Sequence, residues 1–219
     1  MVEFILASQS PRRQSLIYLV GYPYVVRVAD ADEASITHPD PAVNVVETAV
    51  LKANTIAQQI QSADQIIIAA DTTVVLAGQM LGKPRDDREA ALMLQALRNR
   101  KHEVHTGLVL LDLRNGRRVE RVTTAVVTMR NYSDEEIAAY VASGDPLDKA
   151  GAYAIQHPLF KPVARLDGCY TAVVGLSVCD VILALDELDV PRRADLTAVR
   201  QAHQVDNLDF PCPIYEKLL

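Results

Sequence analysis

Residues 6–16, LASQSPRRQSL, join a short apolar run to the start of an amphipathic helix. The apolar residues 2–7 predict a buried strand, and a polar turn then leads into Ser10 and Pro11. Serine is a favoured N-cap, and proline is tolerated at the first helical position because its missing N–H would be unpaired there. This stretch therefore predicts a strand, a tight turn and a capped helix in immediate succession.

Two arginines, Arg12 and Arg13, follow in the first turn of the predicted helix. Unpaired backbone N–H groups give a helix start a positive potential. Cations at that end oppose the helix dipole and cost stability, so the pair indicates an anion between them. A phosphate-binding corner is one interpretation, and a solvated arginine pair on an ordinary helix is the other.

The composition is that of an ordinary globular protein with 219 residues, a formal net charge of −6 and 49% hydrophobic residues. This length supports one large domain or two lobes with a shared core. The acidic balance argues against nucleic-acid binding, and no apolar run reaches the roughly 20 residues that span a bilayer. The N-terminus lacks a basic segment, so no secretory signal is expected.

Three cysteines, Cys169, Cys179 and Cys212, are present in the chain. Their number is odd, which argues against a framework of disulfides. They also share no metal-ligand spacing along the sequence. A reduced state in the cytoplasm fits this pattern best.

Acidic side chains are the first candidates for chemistry. Residues 65–76, QIIIAADTTVVL, are apolar on both faces and rich in β-branched residues, which is typical of a central strand. Asp71 interrupts this run, and a carboxylate buried there costs several kcal/mol unless it is paired, hydrogen-bonded or bound to a metal. A functional role is the first interpretation of Asp71, and a structural hydrogen bond to a turn is the second.

The clustered carboxylates of the acidic loop at residues 29–33 suit a magnesium ion. The alternative interpretation is an exposed acidic loop without a ligand.

Basic candidates are scattered through the chain. Lys52 lies near the middle of a long predicted helix, a position that by itself indicates only solvation. Lys83 lies in a segment that resembles a phosphate-binding P-loop, but Gly78 is one residue too close to Gly82 and Pro84 replaces the magnesium-binding hydroxyl. Lys83 remains a positioned cation without that motif.

The sequence contains two further polar features, a pair of histidines and a glutamine after a turn-rich segment. His102 and His105 are three residues apart in a predicted strand, so their side chains point to opposite faces and do not form a helical zinc motif. The turn-rich segment 144–156 ends at Gln156, whose amide can donate and accept hydrogen bonds at the same time. That property suits recognition of a nucleotide base edge.

Several short motifs, occurring in one order, resemble those of the Maf family of nucleotide pyrophosphatases. The likeness spans about residues 3–188 and depends on the combination of motifs rather than on any one of them. The matching segments are Ser8-Gln-Ser-Pro-Arg-Arg13, Glu33, Lys52, Ala70-Asp-Thr72, Leu81-Gly-Lys-Pro84, His105-Thr-Gly107, residues 146–153 (PLDKAGAY), Ile155-Gln156 and Val174-Gly-Leu176.

The resemblance implies an α/β fold with an elongated mixed sheet flanked by helices, and two lobes around a central cleft, similar to inosine-triphosphate pyrophosphatase. It assigns residues 1–190 to one such domain and leaves residues 191–219 as a C-terminal tail without a role. It implies hydrolysis of dTTP or UTP, and of modified pyrimidine nucleotides, to the monophosphate and pyrophosphate. A divalent cation, magnesium or alternatively manganese, is implied as cofactor. A small nucleotide is the implied partner and a homodimer the common assembly, in the cytoplasm and without nucleic acid or membrane.

The resemblance also implies a role for each matching residue. Asp71 corresponds to the proposed general base, and Glu33 and Asp71 would hold the metal. Arg12, Thr72 and Gln156 match positions that carry base specificity in the branch that prefers dTTP and UTP. Phosphates would be held by Ser8, Arg12, Arg13, Lys52 and Lys83. The expected substrate-binding set consists of these residues together with Thr72 and Gln156.

Two alternatives stay open at this stage. One is a 7-methyl-GTP or broad modified-nucleotide pyrophosphatase, whose branch usually has an acidic residue in place of Gln156. Ala154 and His157 replace glycines that the family often has and add bulk next to Gln156, which leaves the base preference open. The other is a non-catalytic nucleotide-binding regulator of cell division, which would need no metal-linked base; Asp71 and Glu33 argue against it.

Overall fold

A computed structural model describes residues 2–205 and 208–219 of the chain. Within these residues, seven strands form one mixed sheet and two short strands form a separate hairpin. The strands are β1 (Glu3–Leu6), β2 (Tyr24–Val26), β3 (Gln65–Leu76), β4 (Gln79–Leu81), β5 (Lys101–Asp112), β6 (Arg118–Met129), β7 (Val163–Asp167), β8 (Gln204–Val205) and β9 (Leu208–Asp209).

The main sheet runs in the order β2-β1-β3-β5-β6-β7, and β4 pairs with the far end of β3. β1 is parallel to both β2 and β3, whereas β3, β5, β6 and β7 are successively antiparallel. Helices flank the sheet, so the predicted α/β class with an elongated mixed sheet is confirmed. The helices are α1 (Pro11–Ile17), α2 (Pro41–Gln58), α3 (Asp87–Leu97), α4 (Asp134–Ala142), α5 (Tyr170–Val174), α6 (Val178–Glu187) and α7 (Leu196–Gln201).

The alternation of side chains along β3 distributes the core between the two faces of the sheet. Ile67 and Ala69 pack against α2 in one apolar cluster. Ile66 and Ile68 point the other way and pack with α1, α5 and α6. Farther along this second face, Val74 joins a separate cluster with α3 and α4. The long strand β3 therefore connects two apolar clusters along one face.

Most predicted elements are present, and the differences have local causes. β3 has the predicted bounds, and Lys52 lies within α2, the long helix that the sequence predicts. α5 and α6 are separate helices, because Gly175 between them adopts a φ of 130° that helical residues do not have. Ser177 then caps α6 by accepting a hydrogen bond from the Asp180 amide at 3.3 Å.

The C-terminal segment packs against the main core. Val199, Cys212, Tyr215 and Leu218 are buried in the same cluster as β1, β3 and α6. In the parts of the chain that the structure describes, no helix has the length and apolarity needed to cross a membrane.

Gly107 allows α2 to lie close against the sheet. This residue is in β5, directly opposite Asp71 in the β3–β5 register. A Cβ atom at this position would lie 2.4 Å from the carbonyl oxygen of Val45 in α2. Because backbone atoms cannot yield as a flexible side chain does, only glycine fits where this helix crosses the strand.

We expect Gly107→Ala to destabilise the protein by about 1–3 kcal/mol or more, since the added methyl group must displace the backbone of α2. Urea unfolding of the purified variant measures the change. Gly82→Ala is the matched control, because a Cβ there meets nothing within 4 Å. Equal unfolding midpoints for the two variants would contradict this interpretation of Gly107.

Candidate active site

The cleft lies where one edge of β3 changes partner. On this edge the described ladders pair residues 65–68 of β3 with β1 and resume only at Val74, which pairs with β4. β1 ends at Leu6, and the chain then turns away into the loop before α1. Asp71 and Thr72 lie in the interval between the two ladders and line a cavity there.

The cavity has a volume of about 700 Å³, which is within the usual range for small-molecule sites. Five basic and three acidic side chains line it, so it carries net positive charge in a protein with a net charge of −6. Every candidate site residue from the sequence lies in its wall. These residues are Ser8, Arg12, Arg13, Glu33, Lys52, Asp71, Thr72, Lys83 and Gln156.

Asp71, Lys52 and Glu33 form an ion-paired group at one wall of the cavity. The ammonium nitrogen of Lys52 is 2.7 Å from Asp71 Oδ1 and 3.0 Å from Glu33 Oε2. The Lys52 side chain is 8% exposed and that of Asp71 19%, whereas Glu33 is 53% exposed. Lys52 reaches Asp71 from α2, so the carboxylate that interrupts the apolar strand has a charged partner.

Arg13 is fixed near Thr72 of β3, the residue next to Asp71. Its Nε donates to the carbonyl oxygen of Gly175 at 2.8 Å, and its two terminal nitrogens lie 3.4 Å from Ser8 Oγ and 3.5 Å from Thr72 Oγ1. Burial lowers the pKa of Arg13, whereas the charge of Asp71 raises it. A guanidinium stays protonated under these conditions, so Arg13 is a pre-positioned cation.

Thr72 is oriented by a second hydroxyl. Thr106 Oγ1 donates to the carbonyl oxygen of Ala172 at 2.8 Å and lies 3.0 Å from Thr72 Oγ1. Since the Thr106 proton is used on Ala172, Thr72 donates to Thr106 and its lone pairs face Arg13. This arrangement fixes the hydroxyl without consuming its acceptor capacity.

Asp148 and Lys149 are part of the site, although the sequence assigns them no role beyond their shared motif. Arg12 Nη1 is 3.2 Å from Asp148 Oδ2, and Lys149 Nζ is 2.6 Å from Asp148 Oδ1. Burial would raise the pKa of Asp148, but Lys149 and Arg12 lower it below the ordinary value. Arg12 is therefore held by a carboxylate and does not simply face an open pocket.

The same polar network continues to the loop that carries Gln156. Lys149 Nζ is also 2.9 Å from Asp145 Oδ1, and the Tyr140 hydroxyl donates to Asp145 Oδ2 at 2.6 Å. That hydroxyl accepts a hydrogen bond from the Ala154 amide at 3.0 Å. Burial raises the pKa of Tyr140, so the group stays a neutral donor. A continuous chain of polar contacts thus links Arg12 to the backbone beside Gln156.

Two candidate side chains are available for a ligand. Within the described residues, neither the Lys83 ammonium nor the Gln156 amide makes a hydrogen bond or ion pair, and both line the cavity. Next to Gln156, Ala154 also lines the cavity but His157 does not. The His157 ring packs 4.7 Å from that of Tyr140, and its Nδ1 accepts from the Phe160 amide. The extra bulk expected beside Gln156 is therefore limited to Ala154.

The two acidic candidates suit a hard divalent cation. Glu33 and Asp71 both contact the ammonium nitrogen of Lys52, so the two carboxylates lie close together at the cavity wall. Magnesium is typically held by one or two carboxylates, and the substrate phosphates and water complete its shell. The donor set present here fits that pattern.

His102 lies outside the cavity and contacts Tyr153, one of the residues that line it. Its Nε2 lies 2.8 Å from the hydroxyl of Tyr153, which lines the cavity, and its Nδ1 is buried without a hydrogen-bond partner. Burial lowers the pKa of His102 from 6.5 to about 4. The side chain is therefore neutral in the folded protein at physiological pH.

Together, the mixed sheet and the basic cavity with its paired carboxylates define an α/β protein built to bind a small anionic ligand. A family profile described as Maf-like protein matches residues 3–188. The chain belongs to the Maf family.

The chain is similar to known pyrophosphatases over most of its length. A dTTP/UTP pyrophosphatase of Syntrophotalea carbinolica is 41% identical over 188 residues, which cover 86% of each chain. A dTTP/UTP pyrophosphatase of Thermomicrobium roseum is 45% identical over 177 residues, which cover 80% of this chain and 78% of the relative. The solved Ham1 protein of Staphylococcus aureus has a TM-score of 0.43 and 17% identity, and covers 59% of this chain and 72% of its own.

We predict a pH dependence of stability that originates at His102. The unfolded side chain binds a proton near pH 6.5 and the folded one only near pH 4, so the unfolded state binds more protons between these values. The free energy of unfolding therefore rises with pH across this window, by up to about 3 kcal/mol from this group. Urea unfolding at several pH values should give a flatter profile for His102→Gln than for the wild type. Parallel profiles would contradict the assignment.

Proposed function

We propose that this chain hydrolyses nucleoside triphosphates to the monophosphate and pyrophosphate, with dTTP and UTP as preferred substrates. The observation that carries this proposal is the convergence of Arg13, Lys83 and Asp71, from three separate segments, on one cavity. The names of relatives at 41% and 45% identity support the same reaction and the same bases.

The phosphate end of the substrate would lie among the basic side chains. A nucleoside triphosphate carries about four negative charges, and the transition state of phosphoryl transfer spreads charge over the phosphoryl oxygens. Arg13 and Lys52 are held by neighbouring groups before any ligand binds. Pre-positioned cations of this kind stabilise developing charge without reorganisation during the reaction. Lys83, exposed at the cavity wall, would add a further contact, as would Ser8.

A divalent cation held by Glu33 and Asp71, magnesium or alternatively manganese, would neutralise phosphate charge and make a bound water more acidic. In the reaction, Asp71 would accept a proton from the attacking water at its carboxylate. The water oxygen forms a bond to the α-phosphorus, and the bond from that phosphorus to the bridging oxygen breaks. Pyrophosphate then leaves with that oxygen, and Lys52 keeps the carboxylate of Asp71 oriented.

The base would lie at the other end of the cavity. Gln156 has an amide without a partner in the described structure, so it can pair with the alternating donor and acceptor groups of a pyrimidine edge. Arg12 and Thr72 would contribute to the same specificity.

We assign the protein to the cytoplasm, which agrees with three buried cysteines that form no disulfide.

We expect Asp71→Asn to reduce pyrophosphate release from dTTP and UTP by about 100-fold or more in the presence of magnesium, because the amide cannot accept the proton of the attacking water. Turnover is measured by product analysis, and nucleotide binding is followed separately by calorimetry. The control Asp87→Asn changes an exposed carboxylate outside the cavity and should retain full activity.

One outcome of that experiment would contradict the role of Asp71, and another would contradict the proposed hydrolysis. Unchanged turnover in Asp71→Asn would exclude the carboxylate as general base. Binding of triphosphates by the wild type without any turnover on prolonged incubation would instead favour a non-catalytic nucleotide sensor.

We expect Gln156→Glu to lower kcat/KM for dTTP and UTP by about 10- to 100-fold, since the carboxylate lacks the amide donors. The ratio of 7-methyl-GTP to UTP hydrolysis should rise, because a negative charge favours a cationic base. A panel of nucleotides assayed under one condition measures both changes. His157→Gln, altered at a neighbouring residue outside the cavity, should leave the ratio unchanged. An identical shift in both variants would exclude direct base recognition by Gln156.

A further inference from the structure

Four buried side chains outside the cavity converge on one point. The ligand atoms of Cys169, Cys179, His203 and Cys212 all lie within 4.8 Å of one another. His203 Nε2 is 3.4 Å from the sulfur of Cys169 and 3.8 Å from that of Cys179. None of the three cysteines forms a disulfide.

The two nitrogen–sulfur distances match a tetrahedral metal site. With Zn–S bonds of about 2.3 Å and a Zn–N bond of about 2.0 Å, tetrahedral angles give separations of roughly 3.5 Å between nitrogen and sulfur and 3.8 Å between sulfurs. The two observed nitrogen–sulfur distances lie close to the first value. We propose that Cys169, Cys179, His203 and Cys212 bind one zinc ion as a structural site.

The groups around the cluster orient its members toward a metal. His203 Nδ1 lies 2.9 Å from the carbonyl oxygen of Val199, so this nitrogen carries the proton and Nε2 presents its lone pair to the cysteines. The amide of Tyr215 donates to Cys212 Sγ at 3.4 Å, and Thr171 Oγ1 lies 3.2 Å from Cys169 Sγ. Hydrogen bonds of this kind stabilise the negative charge of metal-bound thiolates.

The donor set also selects the ion. Three thiolates and one imidazole are soft or intermediate ligands, which favour zinc over magnesium or calcium. Four protein ligands fill a tetrahedral shell and leave no position for substrate, so the site is structural rather than catalytic. This zinc site is thus distinct from the oxygen-ligated cation site proposed at Glu33 and Asp71.

The four ligands come from the region that the family profile matches and from the segment that follows it. Cys169 and Cys179 lie within residues 3–188, which the family profile matches, whereas His203 and Cys212 lie beyond them. One ion would therefore attach the C-terminal segment to the family fold. The site also adjoins the active-site wall, because α5 starts directly after Cys169 and leads to Gly175, whose carbonyl oxygen holds Arg13.

The metal content of the full-length chain tests the proposal directly. The protein is expressed without a polyhistidine tag, purified under reducing conditions and analysed by mass spectrometry of its metals. We expect about one zinc per chain in the wild type and less than about a tenth of that in His203→Gln and Cys212→Ser. His102→Gln is the matched control, since it alters a buried histidine outside the cluster and should retain the zinc.

Cobalt binding supplies a readout that does not depend on the folding of any variant. Wild-type protein is stripped of metal, reduced and titrated with Co2+ alone. We expect the intense visible bands of tetrahedral cobalt together with thiolate-to-metal charge transfer in the near ultraviolet, both abolished by an equivalent of Zn2+. A weak six-coordinate spectrum would overturn the proposal.

Limited proteolysis tests whether the ion attaches the C-terminal segment. Removal of zinc should accelerate tryptic cleavage after Arg192 and Arg193 by about 10-fold or more, and added zinc should restore resistance. The site is excluded if the purified wild type lacks zinc and the reduced protein binds neither Zn2+ nor Co2+. It is also excluded if a disulfide links two of the cysteines in freshly purified, metal-free protein, or if all three variants retain zinc equally.

Discussion

The ion pair between Lys52 and Asp71 is the interaction on which the site depends. A carboxylate in the middle of a strand that is apolar on both faces is unfavourable unless a charged partner reaches it. Lys52 reaches it only because α2 lies close to β5, and α2 lies close because Gly107 has no side chain. A single structural unit is therefore formed by Gly107 of β5, Lys52 of α2 and Asp71 of β3.

The change of partner along β3 explains why this unit faces a cleft. A strand paired along its full length would hide the groups between Ile68 and Val74. In the described structure, β1 ends before this interval and β4 begins after it, so Asp71 and Thr72 are accessible from the edge of the sheet. The two apolar clusters on either side of the interval stabilise β3 at both ends. The gap can thus persist without collapse of the sheet around it.

The sequence was sufficient to predict the main strand, and the candidate site residues that it indicated all line one cavity. The composition of residues 65–76 predicted a buried central strand, and the charge of Asp71 within it indicated a special role. Lys52 could not be recognised from the pattern, because its partner is distant along the chain and a lone helical lysine has no distinctive neighbours. The role of Tyr140 depends on a contact with the backbone of Ala154, which local periodicity cannot predict. The cluster around His203 has no short ligand spacing, so only the fold brings its members together.

The cations of the cavity differ in how firmly they are held, and this difference bears on ligand binding. Arg13 is fixed by a backbone carbonyl and Lys52 by two carboxylates, so their positions are set before a ligand arrives. Arg12 instead forms a partly exposed pair with Asp148, and such pairs contribute little to stability. A phosphate can replace Asp148 as the partner of Arg12 at small cost, because Lys149 still neutralises the released carboxylate. Since Lys149 also contacts Asp145, and Tyr140 connects Asp145 to the loop of Gln156, the pair of Arg12 and Asp148 lies at the end of the network that holds this loop.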